Sequence, residues 1–291
     1  MHQILLSVGF GLVTASVLAM AGVGMSLQFS VTNFVNFAYG DYATLGAYFA
    51  LFAVDQLHLP IVPAAIASAL FMAATSVVLY RVVFRSFVRR RARNVTLLIV
   101  SVGVSLALQG IISSIWGSGF QTYQLGSQAP IGLGPIQLTA QQIVIIAVAV
   151  LSLAGVHVLL RYTTIGKTMR AMSENKDLAE VSGINTARVT DLTWMLSGIL
   201  VGLAGVVLAI NTSSFSPVLG TQFMFLVFAG VILGGIGKIY GAMIGALIIG
   251  ISTEVAAGFV GSAYASAAAF GIMILLLLIR PSGLFAAKGR A

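Results

Sequence analysis

Residues Ile4 to Leu27 read ILLSVGFGLVTASVLAMAGVGMSL, a run without a single charged side chain. At about 1.5 Å per residue, a helix of this length crosses a hydrocarbon core of roughly 30 Å. The run also lacks the alternation of polar and apolar residues that is typical of membrane β-strands. It therefore predicts a transmembrane α-helix.

The same run could be misread as a secretion signal, because Ala19-Met20-Ala21 resembles a cleavage site. Two features argue against that interpretation. The preceding residues Met1-His2-Gln3 include no Lys or Arg, and the run is longer than an ordinary signal core. We therefore expect a first helix that is retained.

The composition of the whole chain extends this prediction beyond the first run. Of the 291 residues, 59% are hydrophobic and 8% are charged, with a mean hydropathy of +1.05. Such a chain has too little polar surface to cover a water-soluble fold. In lipid every backbone polar group must be bonded internally, and the long apolar runs favour helices over a barrel.

We therefore predict an all-α, polytopic membrane helix bundle in one transmembrane domain, residues 1–291, with about eight to nine spans and no soluble domain. Some of the spans are expected to be broken or re-entrant. The predicted helices cover residues 4–27, 32–54, 60–80, 95–117, 141–160, 189–211, 221–234, 241–258 and 263–279.

The net charge of +8 comes from 15 basic residues that cluster in a few loops. Six lie between Arg81 and Arg93, five between Arg161 and Arg188, and three between Arg280 and Arg290, and Lys238 stands alone. Basic loops of membrane proteins face the cytoplasm, so we expect an outside N-terminus and a cytoplasmic C-terminus. Between Arg93 and Arg161 no residue is charged, which argues against nucleic acid as a partner.

Two apolar runs are interrupted by polar or glycine-rich segments, one in each half of the chain. Interruptions of this kind are typical of the discontinuous helices that line transport pathways. Glu254 is the only acidic residue well inside an apolar span, and such a residue usually faces a functional interior. The predicted pathway or gate residues are Asn33, Asn36, Gly40, Asp41, Gly237, Gly241, Gly245 and Glu254.

Each of these predictions has a plainer alternative. Gly241 and Gly245, like Gly198 and Gly202, stand four residues apart, a spacing that lets two helices pack closely. Glu254 could instead lie near the outer membrane interface, where exposure of a carboxylate costs little.

The chain carries no nucleotide or metal motif of its own. Gly166-Lys167-Thr168 resembles the end of a phosphate-binding loop, but Arg161 stands where the first glycine is needed, and no strand precedes it. The chain has no Cys and only three His, at spacings that suit no metal ion. Nor does the sequence offer a nucleophile with a base, so we expect no enzyme activity and no bound cofactor.

The loop from Arg161 to Arg188 contains a stretch that reads as a short surface helix. Asn175 can cap that helix, and Gly183 can end it. A solvated connector is the alternative. The predicted docking face for a partner comprises Glu174, Lys176, Asp177, Ala179, Glu180 and Gly183.

Five motifs, taken in order, resemble the branched-chain amino acid ABC permeases of the LivH type, over nearly the whole chain. They are Asn36-Phe37-Ala38-Tyr39-Gly40 with Leu45-Gly46-Ala47-Tyr48; Arg170-Ala171 with Ala179-x-x-x-Gly183-Ile184-Asn185; Leu196-Ser197-Gly198 with Gly202-Leu203-Ala204-Gly205; Gly234-Gly235-x-Gly237 with Gly241-Ala242 and Gly245; and Arg280-Pro281-x-Gly283-Leu284-Phe285.

The resemblance implies an importer in the bacterial cytoplasmic membrane, surrounded by lipid. Its other parts would be a second, LivM-like permease subunit, two cytoplasmic ABC ATPases that bind ATP and Mg, and a periplasmic or lipid-anchored binding protein. The Ala179-x-x-x-Gly183 helix would be the coupling helix that docks on an ATPase. The implied solutes are branched-chain or other hydrophobic amino acids.

Several alternatives to this function stay open at the level of the sequence. Selectivity in such an importer would reside mainly in the binding protein, so urea, short amides or another small solute are alternative substrates. A stand-alone channel or secondary carrier is a further alternative, although ion coupling would favour more buried titratable groups than Glu254 alone.

Overall fold

The computed structural model describes residues 2–125, 131–133, 136–261, 264–280 and 283–285. Its long helices are α1 (His2–Thr32), α2 (Tyr39–Asp55), α3 (Ile61–Leu79), α5 (Asn94–Trp116), α6 (Ala140–Tyr162), α9 (Thr186–Thr212), α10 (Leu219–Gly234), α11 (Ile239–Val260) and α12 (Ala265–Ile279). Three short helices are α4 (Arg85–Arg89), α7 (Thr164–Glu174) and α8 (Lys176–Val181).

The helices confirm the prediction of an all-α, polytopic membrane protein. Six of them are long and apolar enough to cross a bilayer. Helices α2, α10 and α12 are shorter, with 17, 16 and 15 residues. Because a perpendicular span needs about 20 residues, these three helices are the candidates for partial or re-entrant spans.

A small hairpin is one part of the secondary structure that the sequence analysis missed. Strands β1 (Ile131–Leu133) and β2 (Ile136–Leu138) pair antiparallel, with Ile131 opposite Leu138. Each strand has only three residues, so its apolar alternation is too short to stand out from an uncharged loop.

The third helix continues further than predicted. Residues Tyr80–Phe84 form a π-helical turn, and α4 then carries the chain to Arg89. No Pro or Gly interrupts this arginine-rich stretch, so the helix extends beyond the apolar run. It ends where Arg91 adopts the left-handed conformation, with φ 50°.

The chain divides into two compact units. One comprises residues 1–23, 124–151 and 225–291, and the other comprises residues 24–123 and 152–224. Both are assembled from segments that are distant in the sequence. That the chain forms one transmembrane domain stays a prediction.

In the second unit, helices α2, α3 and α9 pack through glycines. A Cβ atom on Gly205 would overlap the carbonyl group of Ala43, and one on Gly198 would overlap the carbonyl group of Met72. A Cβ on Gly202 would lie 2.9 Å from the Cβ of Met72. The packing role of Gly198 and Gly202, which their spacing predicts, is therefore confirmed.

In the first unit, α10 and α11 pack through glycines in the same way, and the C-terminal segment covers the turn between them. The backbone N–H of Leu284 donates to the carbonyl of Leu233 over 2.8 Å, and that of Phe285 donates to the carbonyl of Gly234 over 3.2 Å. These bonds satisfy carbonyls at the end of α10 that have no partner within the helix.

The expected orientation of the termini stays a prediction. Two of the basic residues that support it, Lys288 and Arg290, lie outside the described residues, as does Pro281 of the last motif.

The glycine contacts predict a sharp difference between two alanine substitutions. Gly205→Ala should destabilise the protein by about 1–3 kcal/mol, because the new methyl group overlaps the backbone of α2. Gly103→Ala on α5 is the matched control, because a Cβ there meets no atom within 4 Å. The measurement is the melting temperature of each purified variant in detergent, and equal melting temperatures would contradict this packing.

Candidate functional site

The first candidate site is the break between α1 and α2. Helix α1 ends at Thr32 and α2 begins at Tyr39, so the predicted interruption of the second apolar run is confirmed. Asn33 is exposed and adopts the left-handed conformation, with φ 56°. A break of this kind leaves backbone N–H and C=O groups without helical partners, and in a membrane they must find others.

Helix α5 supplies one such partner through a polar face. Its residues Ser101, Ser105 and Gln109 stand four apart and therefore lie on one side of the helix. The N–H of Phe37 donates to the hydroxyl of Ser101 over 3.0 Å. The next N–H, that of Ala38, donates to the side-chain oxygen of Asn36 over 3.1 Å. The break is thus bonded both across helices and locally.

Asp41 accepts several side-chain hydrogen bonds in this region and is only 1% exposed. The hydroxyl of Ser105 donates to one carboxylate oxygen, and the amide of Gln109 donates to the other over 3.0 Å. The same amide donates to the hydroxyl of Thr221 over 2.9 Å, and that hydroxyl lies 3.5 Å from the carboxylate. A buried carboxylate is usually stabilised by an ion pair. Here the donor groups are neutral, and hydrogen bonds stabilise the carboxylate instead.

A backbone contact adjoins this carboxylate. A Cβ atom on Gly40 would overlap the carbonyl group of Gly220, and a Cβ on Gly220 would overlap that of Gly40. The N–H of Gly220 also donates to the hydroxyl of Thr44 over 2.8 Å. Gly40 therefore sits at a tight backbone contact with the segment that opens α10.

The remaining predicted pathway residues belong to the other unit. Gly237 lies in the turn between α10 and α11 with φ 79°. Gly241 packs against Gly234, and Gly245 packs against Gly230, as expected of close helix packing. Their role as a gate stays a prediction.

Glu254 lies on α11, separate from those glycines. It is half-buried and accepts a hydrogen bond of 2.8 Å from the hydroxyl of Thr14 on α1. Nine residues separate it from Gly245, which corresponds to about 13 Å along the helix.

The structure thus places Asn33, Asn36, Gly40 and Asp41 in one unit, and Gly237, Gly241, Gly245 and Glu254 in the other. The sequence analysis missed Ser105, Gln109 and Thr221, the partners of Asp41. A signal for two of them was present, because polar residues recur every fourth position in the apolar run of α5.

The second candidate site is the segment between α6 and α9, which forms two helices instead of one. Ser173 and Glu174, just before the predicted cap Asn175, end a separate helix, α7, which the sequence analysis did not predict. Thr163 caps α7 by accepting a hydrogen bond from the N–H of Gly166 over 3.1 Å. The Gly166-Lys167-Thr168 stretch is therefore part of a helix.

Both predicted ends of α8 are confirmed. The side chain of Asn175 accepts a hydrogen bond from the N–H of Leu178 over 2.9 Å. Gly183 ends the segment with φ 85°, and the N–H of Ile184 donates to the carbonyl of Ala179 over 3.0 Å. This left-handed glycine termination is a common way to end a helix.

The exposed face of α8 differs from the predicted docking face in two respects, the first being that Glu174 belongs to α7. Ala179 is only 4% exposed, so its side chain packs inward and cannot meet a partner directly. Lys176 is half-buried, whereas Asp177, Glu180 and Gly183 are exposed.

Two apolar side chains on α8, which the sequence analysis missed, are strongly exposed. They are Leu178, at 63%, and Val181, at 87%. Their spacing of three residues, which places them on one helix face, was visible in the sequence. Apolar side chains grouped in this way on a short polar helix are typical of a contact surface.

The start of α9, next to α8, is tied to α3 by several contacts. The guanidinium of Arg81 pairs with the carboxylate of Asp191 at 2.7 Å. One turn further on, Trp194 packs against Tyr80 and Phe84, with ring centroids 4.9 Å and 5.4 Å away. These contacts hold the start of α9 against the helical turn that continues α3.

The bonds of Asp41 predict different effects for two substitutions. Asp41→Ala should destabilise the protein by about 1–3 kcal/mol or more, because it leaves buried donors without an acceptor. Asp41→Asn keeps an acceptor and should cost less. Asp55→Ala, at the exposed end of α2, is the matched control and should change little. The measurement is the melting temperature in detergent, and equal values for both Ala variants would contradict this role.

Comparisons with known proteins identify the family of this chain. The family described as the permease component of the branched-chain amino acid transport system matches residues 7–279. The high-affinity branched-chain amino acid transport system permease protein LivH of Escherichia coli strain K12 is 29% identical, over 94% of this chain and 92% of that protein.

A second relative agrees with this match, and one solved structure has a similar fold. The probable branched-chain amino acid transport permease protein LivH of Methanocaldococcus jannaschii is 31% identical, over 94% of this chain and 90% of that protein. A chain in the structure of PsaBC from Streptococcus pneumoniae in complex with Fab has a similar fold, with a TM-score of 0.51 at 14% identity, over 97% of this chain and 92% of that chain. The chain belongs to the permease component family of the branched-chain amino acid transport system.

Proposed function

We propose that this protein is one of two membrane-spanning subunits of an ATP-driven importer of branched-chain or other hydrophobic amino acids. The observation that carries the proposal is the family match over residues 7–279. The printed functions of the relatives support the substrate class, since LivH of Escherichia coli is named as part of a high-affinity branched-chain amino acid transport system.

The energy for transport would come from partner subunits. Two cytoplasmic ABC ATPases would bind ATP and Mg, a LivM-like protein would be the second permease subunit, and a periplasmic or lipid-anchored protein would deliver the substrate. In this assembly the chain itself catalyses no reaction. It forms part of the route and moves when the ATPases move.

The break between α1 and α2 is our candidate for a moving part of the route. Irregular backbone at membrane depth is tolerated only where it is buried in protein or lines a water-filled cavity. Asp41 and its partners bind one another through individually modest hydrogen bonds, which can be exchanged during a conformational change. The glycine turn at Gly237, with Gly241 and Gly245, is the corresponding candidate in the other unit, and Glu254 is a further candidate for the route.

Helix α8 is our candidate for the ATPase contact. Its exposed Leu178 and Val181 offer an apolar ridge that Asp177 and Glu180 flank with charge. Because α9 begins five residues after α8 ends and is bonded to α3 through Asp191, a tilt of α8 would be transmitted to two long helices.

The proposal also includes the orientation of the chain in the bacterial cytoplasmic membrane. The basic loops at 81–93 and 161–188 would face the cytoplasm, with the N-terminus outside. A phosphatase reporter, which is active only outside the cytoplasm, should be inactive when it is fused after Ala291 and active when it is fused after Leu57. The reverse pattern would contradict this orientation.

The main test reconstitutes the chain in proteoliposomes with its cognate permease partner, ATPases and binding protein. We expect ATP-dependent uptake of leucine, isoleucine or valine, and ATP hydrolysis stimulated by the loaded binding protein. Leu178→Asp should reduce both activities about tenfold or more, since a buried unpaired charge at an interface costs several kcal/mol. The matched control is Leu57→Asp, another exposed leucine, which should keep both activities.

Three other outcomes would contradict separate parts of the proposal. Solute flux through the purified chain without ATPases would indicate a channel or secondary carrier. Uptake of urea or short amides without amino acid uptake would contradict the substrate class. Full activity of the Leu178→Asp variant would contradict the role of α8.

A further inference from the structure

A cleft of about 580 Å³ lies between α4 and α8. Arg85 and Arg89 line one wall from successive turns of the helix, and Arg91 lies just beyond its end. Lys176, Asp177 and Glu180 of α8 line the opposite wall. The cleft therefore has charged side chains on both sides.

The basic side chains of the cleft have no carboxylate partner within the part of the chain that the structure describes. Arg81 differs, because it pairs with Asp191 at 2.7 Å. Arg89 and Arg91 are exposed, and Arg85 is half-buried. Three guanidinium groups thus converge on one wall without an internal ion pair, although Asp177 and Glu180 lie across the cleft.

The size of the cleft favours an occupant larger than a single ion. Its volume falls within the range of about 300–1,000 Å³ that is typical of sites for whole ligands. All three guanidinium groups lie on the α4 side, and both carboxylates lie on the α8 side beside Lys176. A polypeptide segment can match such a division, because it can present acidic side chains to one wall and a basic side chain to the other.

We propose that an acidic segment of the partner ATPase enters this cleft, so that the docking surface has two walls and not α8 alone. This inference rests on the proposed function. Lys176, Asp177 and Glu180 belong both to the cleft and to the predicted docking face, so a protein that contacts these residues lies at the cleft. Carboxylates on the inserted segment would then pair with Arg85, Arg89 and Arg91.

The arginine wall predicts a change in affinity with a matched control. Arg85→Gln together with Arg89→Gln should weaken association of the ATPase about five- to tenfold, the effect of losing two partly exposed ion pairs. The dependence of affinity on salt should also become shallower. Arg90→Gln with Arg93→Gln removes the same charge from residues outside the cleft and should change affinity less than twofold. Equal effects of the two double variants would overturn the proposal.

Crosslinking separates this inference from the proposed function. In each of three variants, a photoreactive amino acid replaces one residue. The first variant replaces Val88, which lines the cleft, and the second replaces Ser86, an exposed residue of α4 outside the cleft. The third replaces Leu178 of α8. In the assembled transporter, Val88 should crosslink to a carboxylate-rich ATPase peptide, and Ser86 should not.

If Leu178 crosslinks to the ATPase but Val88 crosslinks to lipid, or to no ATPase peptide, the two-walled docking surface is wrong. Failure at both Val88 and Leu178 would overturn the docking role of α8 as well. Capture at Val88 of an ATPase peptide without acidic side chains would overturn the charge pairing.

Discussion

A polar backbone group at a break between helices needs a new hydrogen-bond partner wherever water cannot reach it, because neither lipid nor an apolar core offers one. In this protein the break lies between Thr32 and Tyr39. The polar face of α5 meets part of that need through Ser101, and it extends to the carboxylate of Asp41 through Ser105 and Gln109. The arrangement ties α2 to α5 and lets an irregular segment persist inside an otherwise apolar bundle.

Close helix contacts provide the second constraint. Because lipid tails are as apolar as leucine, helices in a membrane gain little from hydrophobic burial against one another, and van der Waals contact contributes much more. Glycines at the contacts of α9 with α2 and α3, and of α10 with α11, bring the backbones together. Gly40, which contacts Gly220, is followed by Asp41, whose carboxylate accepts hydrogen bonds. Backbone packing and hydrogen bonding therefore both occur at the N-terminal end of α2.

The segment between α6 and α9 differs from the spans in its helix ends and in its exposed side chains. Its helices begin at side-chain caps, Thr163 for α7 and Asn175 for α8, and they expose charged and apolar side chains together. The ion pair of Arg81 with Asp191 and the packing of Trp194 connect the start of α9, which follows this segment, to the π-helical turn that continues α3. We infer that these contacts give a force on α8 a defined route to long helices.

The sequence by itself determined the helical class, most span positions, both breaks and the ends of α8. Long apolar runs, glycine and capping residues act locally, so their effects are visible along the chain. Only the tertiary structure decided that Ser105, Gln109 and Thr221 surround Asp41, that Ala179 is buried, and that Arg85 and Asp177 line the same cleft. These relations join residues up to 180 positions apart, and they depend on how helices pack, which no local pattern specifies.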